Sequence, residues 1–175
     1  AFPSFQSHSR IITVPQARSV KPEEVIIREA RRWMTFSPEE YYLYWQEFSR
    51  SEAQRRFFAI SVPKAPLQTF IATLKMSGLH PYKIVLKPLA LASLVVHDRA
   101  VVANVENNSI EIAILIDYVP AVMRSAFLGS ELLNTESAAP RLVEELNRTI
   151  SYYNDANRDN PLPDLAPIYL SGALA

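Results

Sequence analysis

The sequence contains no cysteine. That excludes a disulfide framework, a thiolate metal site and a cysteine nucleophile, and it fits a reducing compartment. Glycine is scarce, with three in the whole chain, and no serine stands between two of them in the tight elbow that presents a nucleophilic hydroxyl. The three histidines, His8, His80 and His97, lie far apart, and none has a carboxylate or a second histidine three or four residues away, so metal-ligand spacing is missing. Net charge is also missing: Lys plus Arg and Asp plus Glu are 18 each, so nothing electrostatic favours nucleic acid or an anionic membrane as a partner. No run approaches the ~20 apolar residues that span a bilayer, so no direct membrane insertion is expected. The first residues lack the charged start and apolar middle of a signal peptide. The expected location is the cytoplasm.

What the chain does have is apolar content, 49% of 175 residues, enough to fill one good-sized domain or two small ones. It opens on Ala1 and closes on IYLSGALA, and it reads as a piece of a longer protein. The densest pattern is AVVANVENNSIEIAILIDYVPAVMRSAF, residues 100 to 127, where the β-branched runs Ala100–Val105, Ser109–Ile116 and Val119–Phe127 are separated by Glu106-Asn107-Asn108 and Asp117-Tyr118. Three packed apolar runs and two very short turns predict a β-meander, with the asparagines supplying the left-handed backbone of the first turn.

Before the meander, Arg10–Val14 is a short strand ended by Pro15. Lys21-Pro22-Glu23-Glu24 starts a helix that buries Val25, Ile26, Ala30 and Trp33 and stops near Met34. Tyr41–Phe48 and Arg55–Val62 form an aromatic-rich hairpin. A helix from Pro63 follows, with Leu67, Phe70, Ile71 and Leu74 on one face and Gly78 at its left-handed stop. Tyr82–Leu86 is a strand and Leu89–Val96 a short helix. After Pro140, Leu142, Leu146, Thr149, Ile150 and Tyr153 share one face of an amphipathic helix, and Ile168–Leu170 is the last strand.

Several stretches in this order carry a family resemblance. EARRWMTFSPEEYYLYWQ (29–46), the run from FFAISVPK to LALASLV (57–95), IDYVPAVMRS (116–125) and IYLSGALA are similar to collinear segments of the PilM family of actin-like type IV pilus assembly proteins, and more distantly of FtsA. The resemblance implies an α/β chain with an α+β insert. The parent would be an actin-like ATPase fold with an RNase H-like subdomain. Residues 1–21 would belong to its first large subdomain and residues 22–80 to a small inserted 1C domain of SHS2-like type. Residues 81–99 would be a return strand and helix, and residues 100–175 would begin the second large subdomain.

The resemblance also places the family's phosphate turn, of the form Asp-hydrophobic-Gly-x-x-Thr-Thr, on Asn104 to Ile110. The Asp that engages the metal has become Asn104. The Gly that lets backbone approach phosphate has become Glu106, and only Ser109 keeps a hydroxyl. A second negative charge a few ångströms from a triphosphate costs on the order of 1 to 4 kcal/mol. In the family's adenosine loop, Gly172 is followed by Ala173 and Leu174 where glycines are expected. The nucleotide site therefore reads as degenerate, with no cofactor and no catalysis expected. A bare hairpin turn and a strand-exit glycine explain the same residues.

Strand alternation sends Tyr42, Tyr44 and Phe48 to one face and Tyr41, Leu43 and Trp45 to the other. One of these faces packs on helices, and the other is either internal packing or a contact surface. By resemblance the groove beside this domain receives the cytoplasmic tail of PilN, an inner-membrane protein. That implies a non-enzymatic scaffold, peripheral to the inner membrane through its partner and able to self-associate. The alternative is an ATP-binding, polymerising FtsA-like actin homologue using ATP with Mg in the full-length protein.

Overall fold

The computed structural model describes residues 2–4, 7–17, 19–33, 37, 39–127 and 135–174, with backbone alone at 33 and 135–138. The chain is a mixed α/β protein with two sheets. It divides into two compact units, one of Gln6–Ile84 and one of Ala1–Phe5 with Val85–Ala175.

The first unit runs β1 (His8–Pro15), α1 (Pro22–Trp33), β2 (Tyr41–Arg50), β3 (Gln54–Pro63) and α2 (Lys64–Met76). Its sheet has the order β1-β3-β2 and is antiparallel throughout. The strand expected to belong with the first large subdomain thus joins the small sheet. Its partners are the inner residues of β3, with Ile12 opposite Phe57 and Arg10 opposite Ala59. Ile26 and Ala30, four apart on α1, point at that sheet, and Ile26 packs with Ile12, Val14, Phe57 and Ala59. Trp33 and Met34, expected at the end of this helix, have side chains outside the described residues.

Helix α2 begins and ends where the sequence places it. Gly78 takes φ 77°, the Gly78 N–H donates to the Lys75 carbonyl at 3.0 Å, and the Leu79 N–H donates to the Leu74 carbonyl at 2.9 Å. This pair of bonds closes the left-handed helix stop. The stripe Leu67, Phe70, Ile71 and Leu74 is half-buried, and no α2 side chain is fully buried.

The second unit runs α3 (Lys87–Ala92), β4 (Arg99–Val105), β5 (Ser109–Ile116), β6 (Val119–Phe127), α4 (Thr135–Ala156) and β7 (Ile168–Ser171). The predicted meander forms, in the order β6-β5-β4-β7, with β7 parallel to β4. Alternate residues of β4 and β5 feed two cores. Val101, Ala103, Val105, Ile110, Ile112, Ile114 and Ile116 pack under Leu146 and Tyr153 of α4. Ala100, Val102, Ala113 and Leu115 pack with Ala92 and Val95 on the α3 side. All eight residues of β5 are buried, as expected for a strand covered on both faces.

Four local expectations change. Among the described residues Tyr82–Leu86 makes one parallel bridge, Phe2 with Leu86, and Tyr82 is fully exposed; a strand needs a partner along its length, and this segment meets one described residue. The short helix begins two residues early at Lys87, with Pro88 tolerated in its first turn, and ends at Ala92. Helix α4 begins at Thr135 and carries Pro140 inside it. Left-handed backbone occurs in the second turn, at Asp117 (φ 54°) and Tyr118 (φ 63°), and not at the asparagines of the first. Two consecutive positive-φ residues make the tight hairpin connection whose twist suits antiparallel strands.

A three-way charge clasp closes the β2–β3 hairpin. Arg50 Nε donates to Glu47 Oε1 at 2.6 Å, and Arg55 Nε donates to Glu47 Oε2 at 3.0 Å, beside a bulge between Glu47 and Ser49. The Arg50 bonds first, then those of Arg55, hold the Glu47 carboxyl down to about 2, from 4.5. A depressed carboxyl stabilises the fold above its unfolded value and loses that contribution as pH falls through the folded value. Acid titration of the full-length protein followed by circular dichroism is expected to show Glu47's contribution intact above pH 4.5 and fading toward pH 2. Glu47→Gln should flatten that slope, and an unchanged slope would remove the clasp from the account. In the second unit, Ile114→Ala is expected to cost roughly 2 to 5 kcal/mol in urea unfolding. The exposed Leu165→Ala control should stay within about 0.5 kcal/mol of the parent.

Candidate functional site

At the carboxyl end of β4, four residues from four strands stand at one level on the α3 side of the sheet. Ser125 of β6 lies opposite Glu111 of β5, Glu111 opposite Asn104 of β4, and Asn104 beside Ser171 of β7. Residues in register across a sheet share a face, so the polar row is contiguous. It is also wired. Ser171 Oγ donates to Asn104 Oδ1 at 3.1 Å, and Asn104 Nδ2 donates to Glu106 Oε1 at 3.1 Å. The backbone N–H and hydroxyl of Ser4 both donate to Glu111 Oε1, at 2.9 and 3.1 Å, and the Ser4 hydroxyl lies 2.6 Å from that of Ser125.

Lys87, the first residue of α3, sits over the row. Its Nζ is 3.6 Å from Glu106 Oε1 and 3.6 Å from Glu111 Oε2. Glu111 is 3% exposed, and its Oε2 accepts no hydrogen bond among the described residues, so this lysine is the charge that compensates it. Glu106 is more open. Donation from Asn104 first, then the positive charge of Lys87 and the Ala173 backbone N–H, hold its carboxyl below the usual range against the opposing effect of burial.

The exit of β7 completes the cluster. Gly172 takes φ 109°, and a Cβ there would stand 2.2 Å from the Val105 carbonyl oxygen, so only glycine lets the chain cross the end of β4. The crossing is fixed by the Leu174 N–H, which donates to that carbonyl at 3.2 Å. Three of the four sequence-predicted positions, Asn104, Glu106 and Gly172, therefore converge. The fourth, Ser109, is buried on the same face and closes the turn through its carbonyl, which accepts the Glu106 N–H at 2.9 Å.

Sequence reasoning missed Lys87, Glu111, Ser4 and Ser125. The available signal was Glu111, the lone charge in SIEIAILI. With two carboxylates and one ammonium, the cluster carries a net negative charge and repels phosphate at close range.

The aromatic positions lie in the other unit. Tyr42 is half-buried, its hydroxyl accepting from Gln68 Nε2 at 3.2 Å and its ring lying 5.4 Å from Lys64 Nζ. Tyr44 is 55% exposed, with its ring 6.1 Å from that of Tyr42. Phe48 lies under the Arg56 guanidinium at 4.9 Å. On α4, Glu145 reaches Arg124 of β6 at 3.3 Å as well as Arg148 at 3.2 Å.

Neither a protein-family model nor a curated protein sequence matches the chain. Among solved structures, it is similar to a chain of a "PilM-PilN type IV pilus biogenesis complex", with TM-score 0.64 and 22% identity over 95% of this chain and 59% of that one. The fold is of the PilM-PilN kind. The chain spans 59% of the length of that PilM-PilN chain.

The polar row gives a test. Lys87→Met leaves Glu111 buried without its cation and is expected to cost about 3 kcal/mol in urea unfolding of the full-length protein at neutral pH. Adding Glu111→Gln should recover part of that loss, because the uncompensated charge disappears with it. Strictly additive losses would show that the two side chains do not act as a pair.

Proposed function

We propose that the chain is part of a PilM-like, actin-like scaffold of type IV pilus or type II secretion-like assembly, one that binds the cytoplasmic tail of a PilN-like inner-membrane protein and does not turn over nucleotide. The observation that carries this reading is the likeness of fold to the PilM-PilN complex over 95% of the chain. The collinear motifs of the sequence support it independently. Among the described residues no helix is long and apolar enough to cross a membrane, which suits a protein held at the cytoplasmic side of the inner membrane by its partner.

The degenerate nucleotide site rests on the chemistry of the β4 turn. Asn104 spends both ends of its amide on Ser171 and Glu106, and Glu106 adds negative charge where phosphate oxygens would approach. The small unit supplies the contact surface in this reading. Tyr44 is one of its exposed aromatics, and Tyr42 and Phe48 continue it along β2 beside the cations Lys64 and Arg56. Aromatic side chains with a polar tip are the residue type on which interface energy concentrates. Self-association through the same fold is compatible with this role.

Isothermal titration of the full-length protein with the tail peptide of the adjacent membrane-anchored partner is expected to give saturable binding. Tyr44→Ala should weaken it about 10- to 30-fold, the range of a hot-spot truncation. Titration with ATP and magnesium should give no binding. Metal-dependent nucleotide binding in the micromolar range would overturn the degenerate site, and tail binding left unchanged by Tyr44→Ala would move the contact elsewhere.

A further inference from the structure

The carboxylate of Glu106 has an arrangement that a vacant, charge-repelling turn does not require. It accepts the side-chain amide of Asn104 on β4 at 3.1 Å and stands 3.6 Å from the ammonium of Lys87 at the start of α3, with the backbone N–H of Ala173 after β7 facing it as well. An amide, a backbone N–H and an ammonium converging on one oxyanion form a cradle of the kind that holds phosphate or carboxylate groups.

The donors are fixed. Asn104 is buried and oriented by the Ser171 hydroxyl. The Ala173 N–H is placed by Gly172, whose conformation and close approach to the Val105 carbonyl admit no other residue. Lys87 is held over the sheet by Glu111 as well. The acceptor is the more exposed part. Glu106 belongs to the short turn of residues 106–108, its side chain is 36% exposed, and both asparagines after it are exposed.

We infer that Glu106 is an internal ligand: its carboxylate occupies an oxyanion cradle made by Asn104, Ala173 and Lys87, and keeps that cradle closed to an external phosphate group. The inference rests on the degenerate-site reading in one respect, that the wild-type turn excludes nucleotide. It deepens that reading by assigning the exclusion to a self-contained plug on an otherwise competent set of donors. Replacing the carboxylate by an external phosphate leaves Lys87 shared between Glu111 and an anion, as it is now.

The test uses the full-length protein and inorganic pyrophosphate in the presence of a chelator, read by calorimetry and by thermal shift. Wild type is expected to show no saturable binding. Glu106→Ala should bind at least about tenfold more tightly than wild type, the effect of removing one like charge a few ångströms from the anion. Adding Lys87→Met should abolish the gain. Glu106→Gln, which keeps the side chain's length and loses its charge, covers the case in which alanine disturbs the turn, and should show a smaller gain. No gain in either folded variant, a gain that survives Lys87→Met, or wild-type binding equal to that of the variants overturns the inference. ATP with magnesium on the same proteins separates the two readings. If wild type binds no ATP and neither variant gains pyrophosphate, the plug fails and the degenerate site stands; if wild type binds ATP, the degenerate site fails and the plug with it.

Discussion

A carboxylate buried in the middle of a sheet must be given a cation and hydrogen-bond donors, or it costs several kcal/mol. Glu111 sets that condition in the larger unit. It lies between β4 and β6 on a strand with no exposed residue, and the neighbouring segments are placed so as to meet it. Ser4 comes from the start of the chain to donate twice, and Lys87 begins α3 where its ammonium reaches across. The adjoining residues of β4, β6 and β7 are polar at that level and apolar elsewhere on the same face. The candidate site is the solvent-facing end of the same network, since Lys87 divides its charge between buried Glu111 and open Glu106.

Much of the fold was legible because it is local. The meander was visible from three apolar runs and two short turns, and α1, α2 and α4 from apolar residues three and four apart. The left-handed stop of α2 was visible from Gly78. What failed was the part that depends on partners far along the chain. Tyr82–Leu86 has the composition of a strand, yet among the described residues pairing supplies only Phe2. Strand β1 looked like a member of another subdomain because nothing in His8–Pro15 announces that its ladder partner is Gln54–Pro63. The candidate site divides the same way. Asn104, Glu106 and Gly172 were found through a motif, whereas Lys87 and Ser4 are brought to Glu111 only by tertiary contacts.

The smaller unit shows how a polar side of a sheet can be organised by cations. Arg55 and Arg50 neutralise Glu47 on one edge of the hairpin, while Arg56 and Lys64 cover Phe48 and Tyr42 on the other face. Tyr44 is left uncovered between them. Aromatic residues whose neighbours are already satisfied are held in defined positions at little further entropic cost, which is a favourable starting condition for a contact surface.

The unbroken burial of β5 has a consequence for specificity. A strand with one apolar and one polar face carries its own instruction for register, since a slip of one residue turns the wrong side inward. SIEIAILI has four isoleucines on one side and alanine and leucine on the other, and its neighbour β4 is almost as uniform, so hydrophobicity alone distinguishes poorly between alignments. The single acid removes the ambiguity. A slip of one residue carries Glu111 to the α4 side, among isoleucines and out of reach of Lys87. A slip of two sets it opposite Val102 or Glu106 in place of Asn104. The charge that is most expensive to bury is thus the one that tells the two central strands how to align.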